Sequence, residues 1–412
     1  MKNKALLFAI LPIITTSLIS CNGTLSDNSS SESFSSTETV SYEQESSSNN
    51  QESISSESDY SESVINEIFI TWENYDGSYL SSDIVCEGDI PSYGYEDPTR
   101  ESKNGIRYIF VGWSPEVTPA VKNTSYTACY IEVHENEVGQ PELSSDGKTI
   151  KYGLYPQSHV SDEQLISSLS TLQPLKENDW YYYEENYYVK EIANVFNNES
   201  FTFDDNETIV NGKEYWFKCE PITWKVLECF GNKHLLLSQD LLDTHAYYKD
   251  FSERLVDEAV VYSNNYEQSD IRKWLNEEFY DKAFSINNKF VLEYTTDNGR
   301  KTTNSKENPY VCKNTLDKVF LLSYQDYYNK QYGFDDNYGE RSATRYGKVT
   351  DYARIKGAWC NVSLNYNGTY WTRTPDSNFS YTAFNVNSGG FLSAYAVDGA
   401  NHCVRPSVVI VV

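Results

Sequence analysis

The chain has 412 residues, with 60 Asp and Glu against 33 Lys and Arg and a formal charge of −27. That excess of acid excludes a general nucleic-acid binder, which needs clustered Lys and Arg to neutralise phosphates, and it disfavours electrostatic adhesion to anionic lipid. Eight cysteines stand at 21, 86, 129, 219, 229, 312, 360 and 403 without a C-x-x-C pair, which excludes a thioredoxin-like motif and the common zinc knuckles.

At the start of the chain, Lys2 and Lys4 precede an apolar stretch from Ala5 to Ile19, closed by Leu18-Ile19-Ser20-Cys21. A basic start, a short apolar core and a small residue before a cysteine read as an export signal, too short and wrongly flanked for a lasting membrane span. The segment resembles the lipobox of bacterial lipoproteins. That resemblance implies removal of residues 1–20, acylation of the Cys21 thiol and anchorage at the outer face of a bacterial cell membrane. Without Cys21 seven cysteines remain, an odd number, and Cys86 with Cys129 is the pairing best placed inside one small unit, although sequence cannot set connectivity. Residues 21–63 are almost only Ser, Glu, Asn, Thr and Asp. They offer too little apolar surface to offset ordering entropy and are expected to form a disordered tether of roughly 35 Å r.m.s. reach.

The composition turns to alternating β-formers over residues 64–133. Ile68-Phe69-Ile70-Thr71-Trp72, Ile84-Val85, Arg107 to Trp113 and Ser125 to Tyr130 have strand lengths and are separated by Asp76-Gly77, Pro98, Pro115 and Pro119. Asn74-Tyr75-Asp76-Gly77, Phe110-Val111-Gly112-Trp113-Ser114-Pro115 and Tyr126-Thr127-Ala128-Cys129-Tyr130 resemble the Listeria–Bacteroides repeat of internalin-like surface proteins. The resemblance implies a β-grasp-like module serving as a spacer or adhesion unit.

Residues 139–412 are enough for one larger domain. A strand over Thr149 to Tyr155 is stopped by Pro156. A helix follows, with Ser161 and Gln164 at capping-box spacing before Leu165, Ile166, Leu169 and Leu172. Tyr215 to Val226 and His234 to Leu237 flank a Gly231-Asn232 hairpin turn. A second helix starts at Ser269 with Ile271, Trp274, Leu275 and Phe279 on one stripe. A third is expected from Ser323, after the strand Val319 to Leu322. The chain ends in a Gly389-Gly390 turn, a strand over Phe391 to Val397, an Asp398-Gly399 turn and an apolar strand from Val404 to Val412. Helices between β clusters indicate an α+β architecture.

Six segments in order, Tyr152 to Ser158, Glu220 to Leu227, Ser269 to Asn276, Val319 to Ser323, Tyr370 to Pro375 and Val404-Arg405-Pro406, resemble a family of uncharacterised domains in exported proteins of Gram-positive bacteria. The last two also resemble the end of the C-type-lectin-like fold of formylglycine-generating enzymes. Those enzymes need two nearby active-site cysteines. Here only Cys360 and Cys403 fall late, and Cys403 lies inside the terminal strand motif, so the activity does not carry over.

Trp371, Arg373 and Arg405 are the candidate ligand-binding residues, because an aromatic face beside a fixed guanidinium suits a sugar, a carboxylate or a partner's backbone. The competing reading makes Trp371 core and lets Arg405 satisfy buried carbonyls. The run Trp180-Tyr181-Tyr182-Tyr183 with Tyr187-Tyr188 has the same two readings, ring display or burial. No catalytic motif is present: the histidines at 134, 159, 234, 245 and 402 form no metal pair, and His402 and Cys403 point to opposite faces of a strand. Asp335-Asp336-Asn337 and Asp376-Ser377-Asn378 offer oxygens for calcium but lack EF-hand spacing. The expectation is a lipid-anchored surface protein that recognises an extracellular glycan or protein without catalysis, cofactor or resident metal. An envelope- or host-polymer-modifying enzyme and a passive surface-layer component are the alternatives.

Overall fold

The computed structural model describes residues 67–176 and 178–412, with the two-residue strand Ala9–Ile10. The Cys21 lipidation and the tether expected over 21–63 lie outside the described residues.

Strands β1 (Glu67–Glu73), β2 (Tyr79–Cys86), β3 (Ile106–Ser114) and β4 (Thr124–His134) form a sheet of order β2-β1-β4-β3, with β1 and β4 parallel. Period-two alternation in β1 turns Ile68, Ile70 and Trp72 to one face, where they pack with Ala120 and Tyr126. The Trp72 ring stacks on Tyr126 at 4.8 Å, and its indole N–H donates to Asp83 at 3.0 Å. The opposite face is covered along β3 and β4, where Ile109, Val111 and Val133 belong to the main core of the following residues, while Phe69 of β1 and Ile84 of β2 remain exposed. Asn232 Nδ2 donates to the Phe110 carbonyl at 2.7 Å, and Lys289 pairs with Glu137 across the same seam. The small sheet is therefore docked.

Two expectations fail here. No helix crosses this sheet among the described residues 67–134, so the β-grasp-like assignment is not upheld. Cys86 sits opposite Glu67 at one end of β1, whereas Cys129 lies beyond Thr127, the partner of Glu73 at the other end. At about 3.3 Å per residue they are more than about 20 Å apart, out of disulfide reach.

The larger body is organised by one long strand. Strand β5 (Thr149–His159) runs along one edge of β8 (Glu214–Phe230). The other edge is shared between β7 (Asn186–Ile192), which takes residues 214–219, and β9 (Lys233–Ser238), which takes residues 224–230. Strand β6 (Tyr181–Tyr183) closes a hairpin with β7 through Glu184 and Glu185, both at positive φ. Beyond β9 the sheet continues through the C-terminal strand to β11 (Val291–Thr296), while β12 (Thr315–Asp317) pairs with β11 and β13 (Val319–Phe320) with the C-terminal strand. A second, five-stranded sheet joins β10 (Asp243–Thr244), β14 (Tyr370–Pro375), β15 (Thr382–Val386), β16 (Leu392–Ala396) and β17 (Cys403–Val404) in the order β10-β17-β14-β15-β16. The last strand, β18 (Ser407–Val411), belongs to the large sheet. Arg405-Pro406 thus carries the chain from one sheet to the other, beside residues 239–242, which make the same switch between β9 and β10. Two backbone bonds hold the crossings together, Ser238 N–H to the Pro406 carbonyl at 2.9 Å and Leu242 N–H to the Val404 carbonyl at 3.2 Å.

The fold is β-rich, with 39% strand and 13% helix, and this overturns the α+β expectation and its C-type-lectin-like variant. The helices are short. Helix α1 (Glu163–Leu169) is capped by Asp162 in place of Ser161, its carboxylate accepting from the N–H groups of Gln164 and Leu165. Helix α2 (Asp270–Trp274) starts at the Ser269 cap and passes through a π-helical turn, Leu275–Phe279, into α3 (Tyr280–Ala283). Ile271, Leu275 and Phe279 are buried on the expected stripe, with Trp274 half-buried against His245. The helix expected from Ser323 is one 3-10 turn, Asp326–Tyr328. Ser323 and Asp326 do exchange N-terminal bonds, but the Asp326 carboxylate is also drawn to Arg373 at 2.9 Å, and Asn329 already has extended backbone.

Candidate functional site

The three residues singled out from sequence lie inside the protein. Trp371 is fully buried; its indole N–H donates to the His245 carbonyl at 2.9 Å and its ring stacks on His402 at 4.2 Å. Arg373 bonds the Leu321 carbonyl at 2.8 Å and the Asp326 carboxylate, and it straddles the Asp297 carbonyl with Nε and Nη2. Arg405, with no exposed surface, donates to the carbonyls of Ser238 at 3.0 Å, Gln239 at 3.2 Å and Arg345 at 3.3 Å and to the Tyr370 hydroxyl at 3.0 Å. These side chains present no face to a ligand. Their donors are spent on backbone carbonyls, which a buried guanidinium must find to offset its lost hydration.

What Arg405 supports is at the surface. The loop after β9, held from beneath by that guanidinium, carries Asp240 into a cleft of about 200 Å³ whose lining includes Gln157, Ser158, Glu220, Lys348 and Asp351. Gln157 and Ser158 end β5 and face Glu220 of β8, next to the register slip at Cys219. The slip re-aims the strand locally. Gln157 Nε2 donates to the Glu220 carbonyl at 2.9 Å and Ser158 Oγ to its carboxylate at 2.6 Å. On the far wall, buried Arg354 holds Asp204 at 2.6 Å and Asp351 at 2.8 Å, and Lys348 closes on Asp204 at 2.5 Å. Burial pushes the Asp240 carboxyl above the usual range despite nearby Arg405, Lys348 and Lys225. Among the described residues its carboxylate has no hydrogen-bond partner, so the cleft contains one uncommitted acceptor beside a bonded carboxylate and an ammonium group. Such a set can hold hydroxyl or amine donors without reorganising.

A larger cleft, about 500 Å³, opens beside α2; several of its functional groups are engaged in the fold, whereas Glu293, its carboxyl pushed up by burial, keeps a buried Oε2 without a hydrogen-bond partner. Arg272 pairs with buried Asp317 at 2.6 Å, Asp270 accepts the Lys249 N–H at 3.0 Å, and Asn276 clamps Lys318 and Val319. The two Asx-rich loops are self-satisfied as well. Asp376 accepts from Asn378 and Thr382, while Asp335 accepts from Ser342 and Asp336 pairs with Lys330. Among the described residues no group of three His, Cys, Asp or Glu side chains is placed to hold a metal ion. His402 is buried and its pKa is pushed down to about 3, which keeps it neutral, while burial pushes the adjacent Cys403 thiol up. In the tyrosine hairpin Trp180 and Tyr188 are buried and Tyr182 is about half exposed, so display and burial are both used.

Residues 231–411, somewhat under half of the chain, match the family Domain of unknown function (DUF6273). This span takes in the segments at 269–276, 319–323, 370–375 and 404–406 and leaves out those at 152–158 and 220–227, which supply β5 and β8 of the same sheet. No curated protein and no solved structure matches the chain. Sequence reading missed Asp240 and passed over Glu220. The available signal was a single acid, Asp240, set between the apolar runs Leu235-Leu236-Leu237 and Leu241-Leu242.

Proposed function

We propose that this is a lipid-anchored bacterial surface protein whose C-terminal body recognises a glycan in the cleft of Gln157, Ser158, Glu220, Asp240 and Lys348. The observation that carries the reading is the unpartnered Asp240 carboxylate, held at the cleft by a loop whose carbonyls are fixed by Arg405. A volume of about 200 Å³ is below the ~300–1,000 Å³ of pockets for whole small molecules, and it suits one unit of a polymer lying over the cleft. Neutral polyols need fixed donors and acceptors more than apolar enclosure, and the lining residues supply both. Anchorage is supported by the order of Lys2, Lys4, the apolar stretch and Cys21. Residues 64–133, with their likeness to the Listeria–Bacteroides repeat, serve as a collar between tether and body, in keeping with the seam at Phe110 and Glu137.

The test is equilibrium binding of the full chain to bacterial and host glycans, with Asp240→Asn and Glu220→Gln beside it. Saturable binding that both variants lose while keeping the fold supports the reading; no glycan binding removes it. For the anchor, mass spectrometry of the N-terminal peptide should find a diacylglycerol thioether on Cys21. A polymer-modifying enzyme is the second reading, favoured by one observation: an acid with a raised pKa shares a cleft with a second carboxylate, as acid/base pairs do. Release of new reducing ends, lost in Asp240→Asn, would select it.

A further inference from the structure

We propose that Cys360 and Cys403 are oxidised to a buried disulfide as the exported chain folds. The short strand Cys360–Asn361 pairs antiparallel with Asn367–Gly368, and Cys360 stands directly opposite Gly368. Cys403 N–H donates to the carbonyl of Thr369, the next residue, at 2.7 Å. The Cys403 sulfur lies 2.9 Å from the point where a Gly368 Cβ would stand. Trp359 N–H donates to the Asn401 carbonyl at 3.1 Å, so residues 359–360 and 401–403 run side by side and flank the same turn. Three chain segments thus bring two thiols to one spot, and the missing side chain of Gly368 leaves room for sulfur there. Both cysteines are buried and are thiols in this structure. Closing the bond needs a Cα separation under about 7 Å, and packing both cysteines against Gly368 brings their backbones towards that range.

The chemistry balances with a disulfide acceptor, either a small-molecule disulfide such as oxidised glutathione or a thiol–disulfide oxidoreductase. The two thiols give up two protons and two electrons as one S–S bond forms, and the acceptor is reduced to two thiols. Burial lifts the Cys360 thiol to about 12 and pushes the Cys403 thiol well up too, so neither is nucleophilic once packed. Oxidation therefore precedes closure of the Gly368 turn, and the finished bond is shielded from reductant until the protein unfolds. The expectation is independent of the ligand cleft.

The test is to unfold the full chain under reducing conditions, refold it with oxidised glutathione, denature it, alkylate free thiols without reduction and map the peptides. The expected product is one cross-linked peptide pair holding Cys360 and Cys403, lighter by two hydrogen atoms than the separate peptides, with Cys229 and Cys312 alkylated. Cys403→Ser should leave Cys360 fully alkylated, a readout that stands even if the variant folds poorly. The bonded protein should melt several degrees above its reduced form. Alkylation of both Cys360 and Cys403 after refolding, or their cross-linking to other cysteines, would overturn the proposal.

Discussion

Arg405 Nε–H meets the Ser238 carbonyl at 3.0 Å and joins the two places where the chain passes between sheets, residues 405–406 after β17 and residues 239–242 after β9. The same guanidinium reaches Gln239, Arg345 and Tyr370, so one side chain sets the path of the loop that carries Asp240.

Arg405→Met should destabilise the protein by about 3 kcal/mol or more, because it takes the guanidinium donor from the carbonyls of Ser238 and Gln239 and from the Tyr370 hydroxyl, leaving the Arg345 carbonyl only its bond from that hydroxyl. Arg405→Lys should recover less than half of that, since a lysine has no planar fork. Urea unfolding measures both. A loss below about 1 kcal/mol for the Met variant would contradict the assigned role.

Asp240→Asn should raise stability at neutral pH while weakening binding. The folded-state pKa of Asp240 lies above its unfolded value near 3.8, so the native state holds the proton more tightly. Wild-type stability from this group is greatest below the unfolded pKa and is lost as pH rises through the folded one. The melting-temperature gain of the variant should therefore be present at pH 7 to 8 and vanish towards pH 3. A variant that melts lower at pH 7 would show that the charged form is stabilised by the fold.

Asn276→Leu should cost about 2–4 kcal/mol. Its amide donates to the carbonyls of Arg272 and Val319 at 3.0 and 2.9 Å and accepts the N–H groups of Lys318 and Val319 at 2.8 and 3.2 Å. Denaturant midpoints at unchanged m-value check it.

The two glycines of the 389–390 turn should respond differently to alanine. At Gly390, with φ +71°, a Cβ would lie 1.9 Å from the Ser342 carbonyl oxygen, so Gly390→Ala should cost about 3 kcal/mol or prevent folding. At Gly389 the nearest atom is 3.4 Å away, and the cost should stay under about 1 kcal/mol. Thermal unfolding of the pair separates them.

Local signals in the sequence were legible where one residue fixes the backbone. Gly231-Asn232 falls between β8 and β9 as expected, and Ser269 caps α2 through the Arg272 N–H. The α+β expectation failed because helical stripes do not report length: the Ile271 to Phe279 stripe folds into short α and π pieces, and Ser323 starts a single turn. Trp371, Arg373 and Arg405 stood out as residue types, but whether a guanidinium faces a ligand or four buried oxygens depends on sheet order, and local pattern does not contain it. Asp240 gave little signal for the same reason, since its setting comes from Ser158, Glu220 and Lys348, all distant in sequence.

Isothermal titration of the full chain with glycan oligomers from the bacterial envelope and from host surfaces tests the central claim most directly. Wild-type protein should bind one of them saturably, and Asp240→Asn and Glu220→Gln should each lose at least about tenfold in affinity, roughly 1.4 kcal/mol, with native unfolding transitions. Binding unchanged in both variants, or absent for every glycan, would contradict it.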